Sequence, residues 1–469
     1  MSSYRPELHV TPESGVLDAP AGVLLDDETW HLFHQYRPSP TEPARWAHAV
    51  SLNGPFDWEI CDDALVPAGG ETAVRAGAVV SNGDGLDLYF TSVTAAGTSI
   101  QVAHLDDLDE ECPVSDDEFA VDTRVRRNGD IISNRDDHVR FRSPCVVPDW
   151  ESDEDRHAGH DGWLMLCVTG SGDAPVPVVL TSPDGRAWDF VGELSYAGDP
   201  GFDASAIVVG PRIIRLRDEV DGHIYDVLLV TLEDSGVDVS GYLVGTLRDA
   251  EFEVKTPFTR IDHGHDFTRP RNTNVTPGTV KPEKRYLQSV IFGLLNGTGR
   301  RDDPSGHLSL AEEGWANCLS LPRVVTLQGG LVFQTPPAGL PDAISQSDAA
   351  RSWTGLCEIP AGSTLTATLV DAAGRPAATV THSGAQLVID RSMNPHHSGD
   401  PVATAELAEG DSDSLSIFVD GSTVEVFADG GAVTMASRVY IDGGCAEIRV
   451  ETTGDAEVEQ YWSRGPGSV

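Results

Sequence analysis

Apolar and polar residues alternate in short bursts along this chain, and each burst stops at a cluster of Gly, Pro or Asp. The segments Trp30 to Tyr36, Leu86 to Val93, Trp163 to Thr169, Val178 to Thr181, Ile224 to Thr231 and Leu415 to Val419 are rich in β-branched and aromatic residues. Neighbouring side chains of an extended chain point to opposite faces, so each segment predicts a strand with one face on a core. No segment keeps a helical apolar period beyond about two turns. The 47 glycines and 30 prolines suit many tight turns. The pattern predicts an all-β chain of short strands, spaced as in propeller blades or sandwiches. Repeats are not visible as sequence identity, so periodicity alone does not count blades.

Composition narrows the class. At 469 residues the chain is long enough for two cores. Acidic residues number 74 against 32 basic ones, a formal net charge of −42, and lysine is supplied only by Lys255, Lys281 and Lys284. The acids are dispersed, which keeps a protein solvated where salt screens its self-repulsion. This predicts a protein of a salt-rich cytoplasm. Phosphate backbones and anionic lipid surfaces need clustered Lys and Arg, which are lacking, so neither nucleic acid nor membrane is expected as a partner. With neither a charged-then-apolar leader nor a long apolar run, export and anchoring are not expected. The seven cysteines form no C-x-x-C pair and read as small buried thiols rather than a disulfide framework or a zinc site. The acidic run Asp149 to Asp161 reads as a solvated loop rather than a calcium site.

Longer motifs then point to a family. Arg5-Pro6-Glu7-Leu8-His9, Gly15-Val16-Leu17-Asp18-Ala19-Pro20-Ala21-Gly22 and Trp30-His31-Leu32-Phe33-His34-Gln35-Tyr36 stand in order at the N-terminus. Trp46-Ala47-His48-Ala49-Val50-Ser51, Phe141-Arg142-Ser143-Pro144, Asp262-His263-Gly264-His265-Asp266-Phe267 and Gly314 to Arg323 follow. Val419-Asp420-Gly421-Ser422-Thr423-Val424-Glu425-Val426-Phe427 and Ser437-Arg438-Val439-Tyr440 complete the series. Together these resemble glycoside hydrolase family 32, the β-fructofuranosidases, over nearly the whole chain. The resemblance implies a five-bladed β-propeller followed by a C-terminal β-sandwich. It places the propeller at residues 1–335 and the sandwich at 342–469, either side of Pro336-Pro337-Ala338-Gly339-Leu340-Pro341. It also implies a fructose-containing carbohydrate as partner, and no cofactor or metal; the family motif accounts for His263-Gly264-His265-Asp266.

Retaining glycoside hydrolysis needs two carboxyl groups about 5–5.5 Å apart across the anomeric carbon, one attacking and one donating a proton. The family's nucleophile stands in N-D-P, a sugar-orienting Asp in R-D-P and the acid/base Glu in W-E-C-P. In this sequence the nucleophile position falls on Ala19 and the R-D-P aspartate on Ser143. The acid/base position is aligned with Asp203 of Phe202-Asp203-Ala204-Ser205. Asp18, one residue before Ala19, faces the opposite side of an extended strand unless a bulge re-aims it. Gln35, Trp46 and Arg142 match positions that line the family's fructosyl subsite. The expectation is a sugar-binding or companion protein with weak or no hydrolysis. The rival is an active retaining or inverting glycosidase that uses Asp203 and Asp18.

Overall fold

A computed structural model describes residues 4–82, 85–106, 108, 111–135, 137–149, 162–170, 174–281, 284–408 and 413–468. Of the acidic run Asp149 to Asp161, all but Asp149 lies outside them. The burst segments all become strands: Trp30 to Tyr36 falls in Thr29–Arg37, Leu86 to Val93 in Gly85–Thr94, and Leu415 to Val419 in Asp413–Asp420. The α-helices among the described residues are the short Leu308–Glu313 and Leu340–Gln346.

Five antiparallel blades are arranged around an axis. Their innermost strands are Gly15–Asp26, Glu71–Ser81, Arg142–Asp149, Ile207–Arg217 and Phe267–Val275, each in contact with the next, and the fifth with the first. The ring closes by parallel pairing of the fifth innermost strand with the first, Val23 opposite Thr273. Gly77 allows close approach within the second blade: a Cβ there would overlap the backbone carbonyl of Tyr89. Each gap between blades holds its own apolar cluster, such as Phe33, Trp46, Phe90 and Leu105 between the first and second. One face of each blade is therefore spent on its neighbour, which explains the near-continuous apolar runs in the inner strands.

Beyond the fifth blade, two five-stranded sheets stack as a sandwich over Leu365, Val380, Ile389, Ile417, Val426 and Met435. The chain is thus an all-β five-bladed propeller followed by a β-sandwich. Buried charge joins the two. Arg323 reaches Asp262 at 2.9 Å and Glu425 at 2.7 Å, with all three side chains fully buried. His9 sits between Asp420 at 2.7 Å and Glu425 at 3.2 Å. Gly264 lies against the backbone of Ala436, where no side chain would fit. Asp266 accepts from the backbone N–H of Arg438, and Arg300, Arg391 and Arg438 hold its carboxyl far below the usual range despite full burial. The Asp262 to Phe267 motif, the Arg323 segment and both sandwich motifs are therefore parts of one junction.

Candidate active site

A cavity of about 630 Å³ opens at the end of the axis where the innermost strands begin. All five strands contribute to its wall, among them Ala19, Ala76, Ser143, Gly210 and Arg269. The strands share a local irregularity there. Register with the neighbouring strand slips at Leu17/Ala19, at Arg75/Ala78, between Arg142 and Cys145, at Val209/Arg212 and at Thr268/Arg271. A bulge bends a strand and re-aims its side chains, here into the axial opening. In four of the five strands a proline stands at the slip: Pro20, Pro144, Pro211 and Pro270. Proline cannot donate to a ladder, so it fits where pairing is already broken. Ser143 and Arg269 adopt left-handed backbone, φ 56° and 50°, uncommon for such residues and the kind of strain that collects at functional sites.

Asp18 is the bulged residue of the first strand, and it lines the cavity together with Ala19 and Pro20. Its carboxylate is already engaged. Arg37 donates to it through Nε at 2.9 Å and Nη2 at 2.9 Å, and Gln35 Nε2 adds a bond at 3.2 Å. Gln35 also lines the cavity, and its Oε1 accepts from the backbone N–H of Ala76 at 2.8 Å, tying the first blade to the second. Arg142 lines the wall and donates to Gly170 O at 2.8 Å; burial makes its charge costly and pulls its pKa down. Ser143 donates its backbone N–H to Thr91 Oγ1 at 2.8 Å.

Two expected residues lie elsewhere. Trp46 does not reach the cavity: it is fully buried, packed against Phe33 and edge-on to Phe90 with ring centroids 6.4 Å apart. Its strand runs one position outward from Gln35, and its large ring belongs to the apolar gap between blades. Asp203 is exposed in the turn that precedes the fourth innermost strand, and the cavity wall does not include it. The fourth blade instead presents Val209 and Gly210.

Charge in the cavity runs opposite to that of the chain. Six arginines line it (Arg37, Arg75, Arg142, Arg212, Arg269 and Arg271) against three carboxylates, Asp18, Glu42 and Glu233. Glu233, from the second strand of the fourth blade, stands in the field of Arg142. Val209, Arg212, Glu233 and Arg271 were not singled out from the sequence. The recurring proline at the start of four innermost strands was the available signal, since it marks which residues meet at the axis.

Two groups among the described residues bring metal-type ligands together: His31, His48 and Cys112, and His382, Asp413 and Asp429. In the first, His48 faces His31 with Nε2 at 3.2 Å and Cys112 with Nδ1 at 3.8 Å, a hydrogen-bonded chain rather than a common focus. Both lie away from the cavity wall. A second cavity of about 890 Å³ opens where the innermost strands end, and no carboxylate among the described residues lines it. All seven cysteines are free, six of them buried. No helix among the described residues is long and apolar enough to cross a membrane.

The sequence matches the model of the glycosyl hydrolases family 32 N-terminal domain over residues 9–336 and that of the family 32 C terminal over 377–463. It is 25% identical to a probable sucrose-6-phosphate hydrolase of Psychromonas ingrahamii, covering 98% of this chain and 81% of that protein. A sucrose-6-phosphate hydrolase of Bacillus subtilis is also 25% identical, with 97% and 93% covered. Among solved structures, a mutant Bombyx mori GH32 β-fructofuranosidase in complex with sucrose superposes with TM-score 0.72 at 22% identity, covering 96% of this chain and 93% of the other. The exo-inulinase of Aspergillus awamori gives TM-score 0.74 at 19% identity, covering 98% of each chain.

Proposed function

The chain belongs to glycosyl hydrolase family 32, the sucrose and fructan hydrolase family, and we propose that it is a carbohydrate-binding member with little or no hydrolytic power. The carrying observation is the identity of the residues at the axial bulges. Ala19 stands before Pro20 where the family's nucleophile belongs, and Ser143 stands before Pro144 where the sugar-orienting aspartate belongs. Val208-Val209-Gly210-Pro211 carries the bulge of the fourth innermost strand and lines the cavity, as Asp203 does not, which supports Val209 over Asp203 as the counterpart of the acid/base position. A methyl, a hydroxymethyl and an isopropyl group supply neither an attacking oxygen nor a proton donor of carboxylic strength. Asp18 is neutralised by Arg37, which opposes its use as a nucleophile. Loss of one member of a catalytic set costs nearly as much as loss of the set, so three absent members leave positioning alone.

The relatives named for sucrose 6-phosphate and the β-fructofuranosidase solved with sucrose support a fructose-containing sugar as ligand class. The dispersed charge of −42 supports a salt-rich cytoplasm as its setting. The test is release of reducing sugar from sucrose, inulin and levan in molar KCl, alongside the melting temperature with each sugar. The expected result is no turnover, with a sugar-dependent rise in melting temperature. Turnover abolished by Asp18→Asn or by Glu233→Gln would overturn the reading.

A further inference from the structure

Arg212 and Arg271 line the cavity at its fourth and fifth blades with 3% and 4% of their surface exposed. Burying a guanidinium is costly unless an opposite charge meets it. Neither has one. Arg212 Nη1 donates to the backbone carbonyls of Ser143 at 2.9 Å and Pro211 at 2.7 Å, while its Nε makes no hydrogen bond. Arg271 donates to the carbonyls of Pro20, at 3.2 Å, and Gly77. The ionised neighbour of Arg271 is Arg212, and the other titratable groups beside the pair are the thiols of Cys145 and Cys167, which offer no compensating carboxylate. The two cations thus sit within each other's field with no carboxylate between them, and burial and mutual repulsion both oppose the charge of Arg271.

The remainder of the wall is nearly balanced, with Arg37, Arg75, Arg142 and Arg269 against Asp18, Glu42 and Glu233, so the excess of cations lies with the buried pair. Arg75 stands exposed at the rim with no ion pair among the described residues, and Arg142 is half-buried with Glu233 as its acidic neighbour. Asp18 is committed to Arg37 and Arg269 to Asp238. In a chain that carries −42 overall, a concentration of cations at one opening is not a by-product of composition. Guanidinium forks pair with planar or tetrahedral oxyanions through two parallel N–H bonds, and such bonds are the strong ones in a water-poor site.

We propose that this cavity takes an acidic sugar, and that the sugar's oxyanion group, a carboxylate or a phosphate ester, seats at the cavity floor against Arg212 and Arg271. The proposal rests on the reading of the cavity as a sugar site and adds which sugars it selects. The anion relieves the uncompensated pair, and the neutral ring occupies the wall formed by Ala19, Gln35 and Thr91. A neutral fructoside leaves both guanidiniums unmet.

The test is calorimetric titration of the whole protein in molar KCl with three probes: fructose, glucuronate and fructose 6-phosphate. The chloride background makes any response selective over a simple halide. The expected result is that at least one acidic probe binds about tenfold or more tightly than fructose. Which acidic probe wins tells carboxylate from phosphate ester. Arg212→Gln and Arg271→Gln are each expected to remove that preference while the circular dichroism of the β-fold is kept. Arg75→Gln, at the exposed rim, weakens both acidic probes without touching the buried pair, and it serves if the buried variants do not fold. Fructose binding as well as both acids overturns the proposal and leaves the sugar site standing. Preference for an acid that survives all three substitutions overturns it also. Failure of all three probes removes the sugar site and this inference together.

Discussion

Arg37 grips Asp18 side by side, Nε and Nη2 each 2.9 Å from a different carboxylate oxygen, at the one bulge position where an acid stands in the axial ring. A bidentate pair of this kind fixes the carboxylate and lowers its nucleophilicity, because both oxygens already accept charge-assisted bonds. The chain therefore has a carboxylate at the rim of its cavity and none on the alanine beside it.

On the proposed function, hydrolysis would need more than one added acid, because attack and protonation are separate tasks. Ala19→Asp alone is expected to give no measurable sucrose hydrolysis, and Val209→Glu alone likewise. The triple variant Ala19→Asp, Ser143→Asp and Val209→Glu is expected to raise turnover above background by roughly tenfold or more, since sets of this kind act as a unit. Reducing-sugar release at matched protein concentration is the measurement. A folded triple variant that stays inert would show that the Arg212 and Arg271 wall, rather than the missing acids, bars the reaction.

Trp46 and Gln35 are opposite one another in the first blade, yet their substitutions should separate cleanly. Trp46→Ala empties a fully buried site between two blades and is expected to cost about 3–5 kcal/mol. Gln35→Ala removes one bond to Asp18 and one to Ala76, and is expected to cost about 1–2 kcal/mol while weakening sugar binding. Melting temperature and ligand titration of both variants check this. A Trp46→Phe variant that folds but no longer binds sugar would return the indole to the ligand site.

The strands and the fold class were legible because period-two alternation survives wherever a blade has a core face and the turns carry Gly, Pro and Asp. The family was legible for a different reason. Several residues that carry it, His9, Asp262, Asp266, Arg323, Asp420, Glu425 and Arg438, meet at the junction of propeller and sandwich, where breaking a buried charge pair is costly. The cavity was less legible. Linear alignment places Trp46 and Asp203 at the site, but Trp46 fills the apolar gap between two blades and Asp203 stands in the exposed turn before the fourth innermost strand, and no spacing rule reports which residues a bulge turns to the axis. Arg212 and Arg271 stand 59 residues apart in the sequence numbering and acquire meaning only when two blades bring them together.

Arg323 tests the junction. Its guanidinium meets Asp262 and Glu425 in a fully dry site and also bonds Gln334 and Thr434. Arg323→Met leaves Asp262 buried without its cation and Glu425 with His9 alone, and is expected to destabilise by roughly 3–5 kcal/mol. Adding Asp262→Asn and Glu425→Gln removes the stranded charges and should recover part of that loss. Thermal denaturation of the single and triple variants measures both steps. Equal stability of the two variants would mean that packing around Phe267 and Phe427, which flank the guanidinium, outweighs its charge.

His9 gives the junction a pH dependence of defined sign. Burial opposes its charge, but Asp420 on one ring nitrogen and Glu425 on the other raise its pKa to about 9 from an ordinary 6.5. A group whose pKa is raised by folding stabilises fully below its unfolded value, and the contribution is lost as pH climbs through the folded value. Stability should therefore fall between pH 7 and 9, with a slope approaching about 1.4 kcal/mol per unit for the one proton. Asp63, pushed up to about 7 by burial in spite of Arg45 and Tyr36, acts in the same direction but largely below that window. His9→Gln keeps a donor to Asp420 and carries no titrating proton, so its curve should lie lower in neutral solution and run flat up to pH 9. Melting temperature against pH at fixed ionic strength decides the matter. A wild-type curve as flat as that of His9→Gln across this window would mean that the imidazole stays neutral between its two carboxylates, with one of them holding the proton instead.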